Sequence, residues 1–148
     1  MKKVLAQFDL VRPKYPKDDV RMSGFYNNVD YINALAENSS GFIWRETEED
    51  LESLGRLWGD DYLYTLSTWS DVASLKKFIY ESAHSEVMRS GHRWFQKLKH
   101  PRLVLWWVPA NHTPSIFEAH ERLMYLYENG PSNMAFDLRS SELPVVMY

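Results

Sequence analysis

The sequence predicts an α+β fold: a ferredoxin-like βαββαβ protomer with an extra C-terminal helix, paired sheet to sheet with a second copy in a homodimer. Three observations lead there. The 148 residues suit one domain, spanning 1–148, with a core large enough to need no disulfide or structural metal. Strand-like and helix-like stretches alternate as two βαβ halves, followed by one more helix. Apolar side chains also occupy both faces of the strands, so helices packed on one side leave a second apolar face to cover. A twofold partner sheet is the simplest cover.

Residues 4–11 partly alternate and stop at Arg12-Pro13, which reads as a first strand. Over residues 21–37, Met22, Phe25, Val29, Ile32 and Ala36 share one helical face. Asp18 or Asp19 serves as the cap of that helix, and Asn38-Ser39-Ser40-Gly41 ends it. Residues 42–46 form a short second strand. The acidic stretch from Glu46 leads through Leu54-Gly55-Arg56-Leu57-Trp58-Gly59, read as a loop insertion. Residues 61–69 are rich in β-formers and make the third strand, with Tyr62, Tyr64 and Leu66 on one face and Leu63 and Trp69 on the other.

Ser70 is the expected cap of a helical stretch running to about Leu98. Pro101 precedes a fourth strand from Leu103 to Val108, on which Leu103, Leu105 and Trp107 face one way and Val104, Trp106 and Val108 the other. Thr113-Pro114 opens a last helix that turns Ile116, Ala119, Leu123, Leu126 and Tyr127 inward and stops at Asn129-Gly130-Pro131. The tail at 135–139 is a candidate edge strand.

Composition narrows the chemistry. Zero cysteine excludes thiolate nucleophiles, Cys-ligated zinc and iron–sulfur sites. A net charge of −3 with scattered basic residues argues against nucleic acid. The longest apolar run is too short to span a bilayer, so no membrane partner is expected and the compartment expected is the cytoplasm. Glycine-rich phosphate or dinucleotide loops and the nucleophile elbow are absent. The five histidines lack the spacing of a helical zinc site, so no metal is expected.

What stands out is the aromatic load, 6 Trp, 9 Tyr and 7 Phe. On a wheel for residues 83–98, Ala83, Val87, Met88, Gly91, Trp94, Phe95 and Leu98 form one apolar arc with His84 in its middle. Such a histidine is either a core residue satisfied by a carbonyl or a hydroxyl, or an acid, base or ligand facing a cavity between helix and sheet. Tyr80 lies one turn earlier. His112 follows a strand end in a polar loop, a common position for a substrate-facing side chain. Trp69, Trp106, Trp107 and Tyr64 on strands, with Trp94 above them, supply core and a candidate pocket wall for a flat small molecule.

The runs Asn33-Ala34-Leu35-Ala36, Ser40-Gly41-Phe42-Ile43-Trp44-Arg45, Phe78-Ile79-Tyr80-Glu81-Ser82-Ala83-His84 and Trp94-Phe95 belong to one pattern. So do Leu103-Val104-Leu105-Trp106-Trp107-Val108-Pro109-Ala110, His112-Thr113-Pro114, Glu121-Arg122-Leu123 and Asn129-Gly130-Pro131. Over nearly its whole length the chain resembles an uncharacterised bacterial family, a domain of unknown function in the dimeric α/β-barrel superfamily that includes antibiotic-biosynthesis monooxygenases. The resemblance implies a ferredoxin-like protomer whose sheet packs on its twofold mate. Relatives in that superfamily range from cofactor-free oxygenases and lactone isomerases to haem-degrading enzymes and sensors, with ligands commonly held between helices and sheet. The leading expectation is therefore a metal-free and cofactor-free enzyme acting by proton transfer or oxygenation on an aromatic or polyketide-like substrate. His84 and Tyr80 are its catalytic candidates, and Trp94, Trp106, Trp107, His112, Trp69 and Tyr64 its substrate-binding ones. The alternatives are a haem-binding or haem-degrading protein, with His84 or His112 as axial ligand, and a non-catalytic small-ligand module.

Overall fold

A computed structural model describes residues 2–81, 91–100 and 102–142. Four strands, β1 (Lys3–Val11), β2 (Phe42–Arg45), β3 (Leu63–Trp69) and β4 (Leu103–Pro109), form one sheet in the order β2-β3-β1-β4. Every neighbouring pair is antiparallel, which makes it a ferredoxin-like sheet. The helices are α1 (Ser23–Glu37), α2 (Leu51–Trp58), α3 (Val72–Glu81), α4 (Gly91–Trp94) and α5 (Ile116–Asn129).

Register sorts the strand residues into two apolar faces, because side chains alternate along a strand. Leu5 lies opposite Trp69 and Trp107, while Ala6 lies opposite Thr68 and Trp106 and Phe8 opposite Leu66 and Val104. One face carries Leu5, Trp69 and Leu105 and packs with Ala36 of α1, with Leu75, Phe78 and Ile79 of α3, and with Phe136. The other carries Val4, Ala6, Phe8, Leu10, Tyr64, Leu66, Val104, Trp106 and Val108. The strand faces therefore follow the alternation seen in the sequence.

The cover of that second face differs from expectation. Leu54 of α2 and Ile116, Ala119, Leu123 and Leu126 of α5 bury it within the same chain. The inward stripe of the last helix, joined by a helix inserted between β2 and β3, does what a partner sheet was expected to do. Two apolar strand faces thus do not call for a second copy, and the premise of the homodimer falls.

Local chemistry explains the other departures. The segment read as a loop insertion contains α2, because Asp50 caps it by accepting from Ser53 N at 3.0 Å and Leu54 anchors it in the core. Asp19 caps a short 3-10 turn, Val20–Met22, ahead of α1. Asp71, rather than Ser70, accepts from Ser74 N at 2.7 Å at the start of α3. The long helix expected to reach Leu98 does not do so: Phe95 leaves helical geometry to bridge Pro13, and Gln96 N donates to Arg12 O at 2.8 Å. Ser115, rather than Thr113-Pro114, caps α5. Strand β3 begins at Leu63 because Asp61 turns the chain in the left-handed region, φ 71°. The tail contributes one bridge, Phe136 to Leu105, instead of a strand.

Candidate functional site

Loop 110–115 joins β4 to α5, and at this junction a polar chain runs from the core to the surface. Trp106 is fully buried on the face that α5 covers, and a buried indole N–H needs an acceptor. Its Nε1–H donates to Glu118 Oε2 at 2.6 Å. The other carboxylate oxygen, Oε1, lies 2.6 Å from His112 Nε2. Burial falls outward, since the Glu118 side chain is 20 % exposed and that of His112 is 45 % exposed.

Helix geometry puts Glu118 there. Ser115 Oγ accepts from Glu118 N at 3.2 Å, so Glu118 holds the third helical position of a Ser-x-x-Glu start. In a capping box that carboxylate would return to the Ser115 N–H. Here it is used up by Trp106 and His112 instead. A carboxylate in the first turn also gains from the helix dipole. His112 is fixed from its own side as well, because its N–H donates to Pro109 O at 2.9 Å. The imidazole Nδ1 makes no hydrogen bond among the described residues. This chain can orient an imidazole, fix its tautomer and stabilise positive charge on it.

The other residues expected at a pocket are distributed elsewhere. His84 lies outside the described residues. Tyr80 is 56 % exposed on α3. Trp69 is buried on the α1/α3 face, where its Nε1–H donates to Ser67 Oγ at 3.0 Å. Ser67 in turn donates to Gln7 Oε1 at 2.6 Å, and Gln7 Nε2 to Thr65 Oγ1 at 3.2 Å. Trp107 is on that same face, 37 % exposed and tilted against Phe136. Trp94 is seated against Gly24 and Phe25. Tyr64 occupies the opposite face, stacked on Phe8, with its hydroxyl donating to Glu46 and accepting from Asp50 N at 2.9 Å. Burial first, then the Glu46 carboxylate, pushes that hydroxyl far above the ordinary tyrosine range. Tyr64 is thereby a tether for the start of α2.

Of the expected set, Trp106 and His112 come together, through Glu118. Of the others, Trp69 and Trp107 lie on the α1/α3 face of the sheet and Tyr64 on the opposite face, while Tyr80 is on α3 and Trp94 on α4. A cleft of about 170 Å³ lined by Ser39, Ser40, Ser74, Lys77, Phe78 and Glu81 contains none of them. Glu118 went unread in the sequence because the helix start was placed at Thr113-Pro114, and nothing local shows that a carboxylate in the first turn meets a strand tryptophan. Among the described residues no group of three or more His, Asp or Glu side chains is arranged to hold a metal ion, and no helix is long and apolar enough to cross a membrane.

Comparison with known proteins adds fold and family. Residues 4–145 match the family model described as a domain of unknown function, DUF3291. A crystal structure of a protein of unknown function from Nitrosomonas europaea is similar at TM-score 0.53 and 13 % identity, covering 77 % of this chain and 97 % of its own. One from Pseudomonas aeruginosa is similar at TM-score 0.51 and 12 % identity, covering 76 % and 98 %. Both likenesses concern the fold alone. No curated protein matches the chain.

Proposed function

The chain belongs to the DUF3291 family, a domain of unknown function, and from that premise we propose a small-molecule enzyme that moves a proton, with His112 as its base. The observation that carries this reading is the Trp106–Glu118–His112 chain. With Glu118 accepting at Nε2, a neutral His112 keeps its proton there and directs its lone pair through Nδ1. When Nδ1 takes a proton, the carboxylate at 2.6 Å stabilises the imidazolium. Trp106, anchored in the core, holds the carboxylate still, so orientation is set before a substrate arrives.

The substrate class in this reading is a carbon acid beside a carbonyl on an aromatic or polyketide-like skeleton. Phe117, exposed on the same helical turn as Glu118, offers a flat apolar surface for such a ring. The ferredoxin-like sheet is also the framework of the dimeric α/β-barrel enzymes, several of which work on such compounds without a cofactor. That likeness supports the reading by analogy of fold.

The test is exchange of solvent deuterium into a panel of aryl 1,3-diketones, followed by NMR. The wild-type protein is expected to accelerate exchange into at least one member. His112→Ala is expected to lose that acceleration while keeping its thermal midpoint, and added imidazole to restore part of it. Exchange that survives His112→Ala unchanged, or no acceleration across the panel, refutes the assignment.

A further inference from the structure

The cleft of about 170 Å³ beside α3 has two walls. The turn that follows α1 supplies Ser39 and Ser40, and α3 supplies Ser74, Lys77, Phe78 and Glu81. Gly41 sets the turn against the helix: its φ is 87°, and a Cβ there would fall 2.2 Å from Ser74 Oγ. Its carbonyl accepts from Ser70 N at 2.7 Å. Both walls also rest on the buried Trp69. Phe42, next to Gly41, meets that indole edge-on at 5.3 Å, and Phe78 stacks on it, also at 5.3 Å. The cleft is therefore fixed before a ligand arrives, which keeps the ordering cost of binding low.

Opposite charges line it. Lys77 and Glu81 are exposed and stand four residues apart on α3, about 6 Å along its axis. Closing on each other would gain little, because a surface pair gives up side-chain freedom for a screened attraction. Among the described residues neither makes an ion pair or a hydrogen bond. A simple anion in this cleft meets Glu81, and a simple cation meets Lys77. A molecule carrying both charges close together satisfies the two at once. The hydroxyl of Ser39 donates to Leu35 O at 2.8 Å, so toward a ligand it accepts, as an ammonium group requires. Phe78 adds an apolar surface. At about 30 Å³ for each water-sized group, the volume holds about six such groups, the heavy-atom count of a small amino acid.

We propose that this cleft binds a small free α-amino acid, with its carboxylate on Lys77 and its ammonium on Glu81. The site lies on the α1/α3 side of the sheet and does not depend on the role given to His112.

L-alanine is the probe, titrated into the whole isotope-labelled chain at neutral pH and followed by amide NMR. Propionate lacks the ammonium, ethylamine lacks the carboxylate, and L-tryptophan keeps both charges but exceeds the volume. L-alanine is expected to shift the amide signals of the 39–41 turn and of α3, and to bind at least tenfold more tightly than the other three. Lys77→Gln and Glu81→Gln are each expected to weaken L-alanine binding at least tenfold with the thermal midpoint retained, since both side chains are exposed. No L-alanine shifts at these amides, any of the other three compounds binding as tightly, or either variant binding L-alanine like wild type overturns the proposal.

Discussion

Replacing Trp106 with Phe removes the inner end of the polar chain, and its cost follows from the structure. The side chain is fully buried, so the smaller ring leaves a void the surrounding core closes only in part. A volume loss of about 40 Å³ at ~24 cal/mol per Å³ amounts to about 1 kcal/mol. The hydrogen bond lost ends on a carboxylate at 2.6 Å, and bonds to charged groups contribute about 1.5–3 kcal/mol. The sum is about 2.5–4 kcal/mol of destabilisation, read from urea unfolding followed by far-ultraviolet circular dichroism. The void and the hydrogen bond are separated by a cycle with Glu118→Ala, since only the bond couples the two sites. A coupling of about 1.5–3 kcal/mol is expected. Additivity to within about 0.5 kcal/mol, the range found for independent sites, would refute the claim that Trp106 anchors Glu118.

Two further outcomes test the packing and the electrostatics around the sheet. A Cβ at Gly24 falls 2.9 Å from Trp94 Cζ2, so Gly24→Ala must displace the indole at about 1–3 kcal/mol, against at most about 1 kcal/mol gained in helix propensity; a lower melting temperature with shifted tryptophan emission is expected, and an unchanged or higher one contradicts the seating of Trp94. Asp9 has its carboxyl raised above the ordinary 3.8 by desolvation, opposed by Arg102 at 2.8 Å. Stability from such a group is complete below 3.8 and is lost as pH rises through the folded value. Asp9→Asn is therefore expected to gain on wild type in urea melts between pH 3 and pH 7, and a gap that moves the other way means the Arg102 pair outweighs burial.

How much of this was legible in the sequence depended on whether the signal was local. Period-two alternation in 103–108 and 62–69 separated the two sheet faces, because the side chain of each strand residue has only two directions to take. The inward stripe of α5 was readable too, but its destination was not: periodicity states which side of a helix is buried, never against what. Leu54, Leu57 and Trp58 were hidden behind an acidic run and two glycines, although Asp50 is an ordinary helix cap. The break before Phe95 is set by pairing with Pro13, some eighty residues earlier, and no local pattern carries that. At the candidate site His112 stood out as a polar residue just past a strand. Glu118 did not, since the helix start was placed at Thr113-Pro114, and only the position of Trp106 shows where the carboxylate turns.

The placement of α5 also limits where chemistry is available on this side of the sheet. Along its middle, Ala119 and Leu123 are fully buried against strand residues that are themselves apolar, so a ligand has no polar group to address there and no room to enter. Polar groups lie at its two ends. At the first turn, Glu118 presents His112 to solvent with Nδ1 uncommitted. At the last, Tyr127 sits beside His100 and shares the core margin with Tyr62, over which the unpaired Arg12 guanidinium lies. The helix that closes the sheet face inside one chain thereby leaves these polar side chains at the edges of that face. A pocket buried within this face requires α5 to leave it, exposing the stripe of Ile116, Ala119, Leu123 and Leu126 to water. At about 1.5–3 kcal/mol for each large side chain exposed, that displacement costs several kcal/mol, as much as the whole stability of many domains.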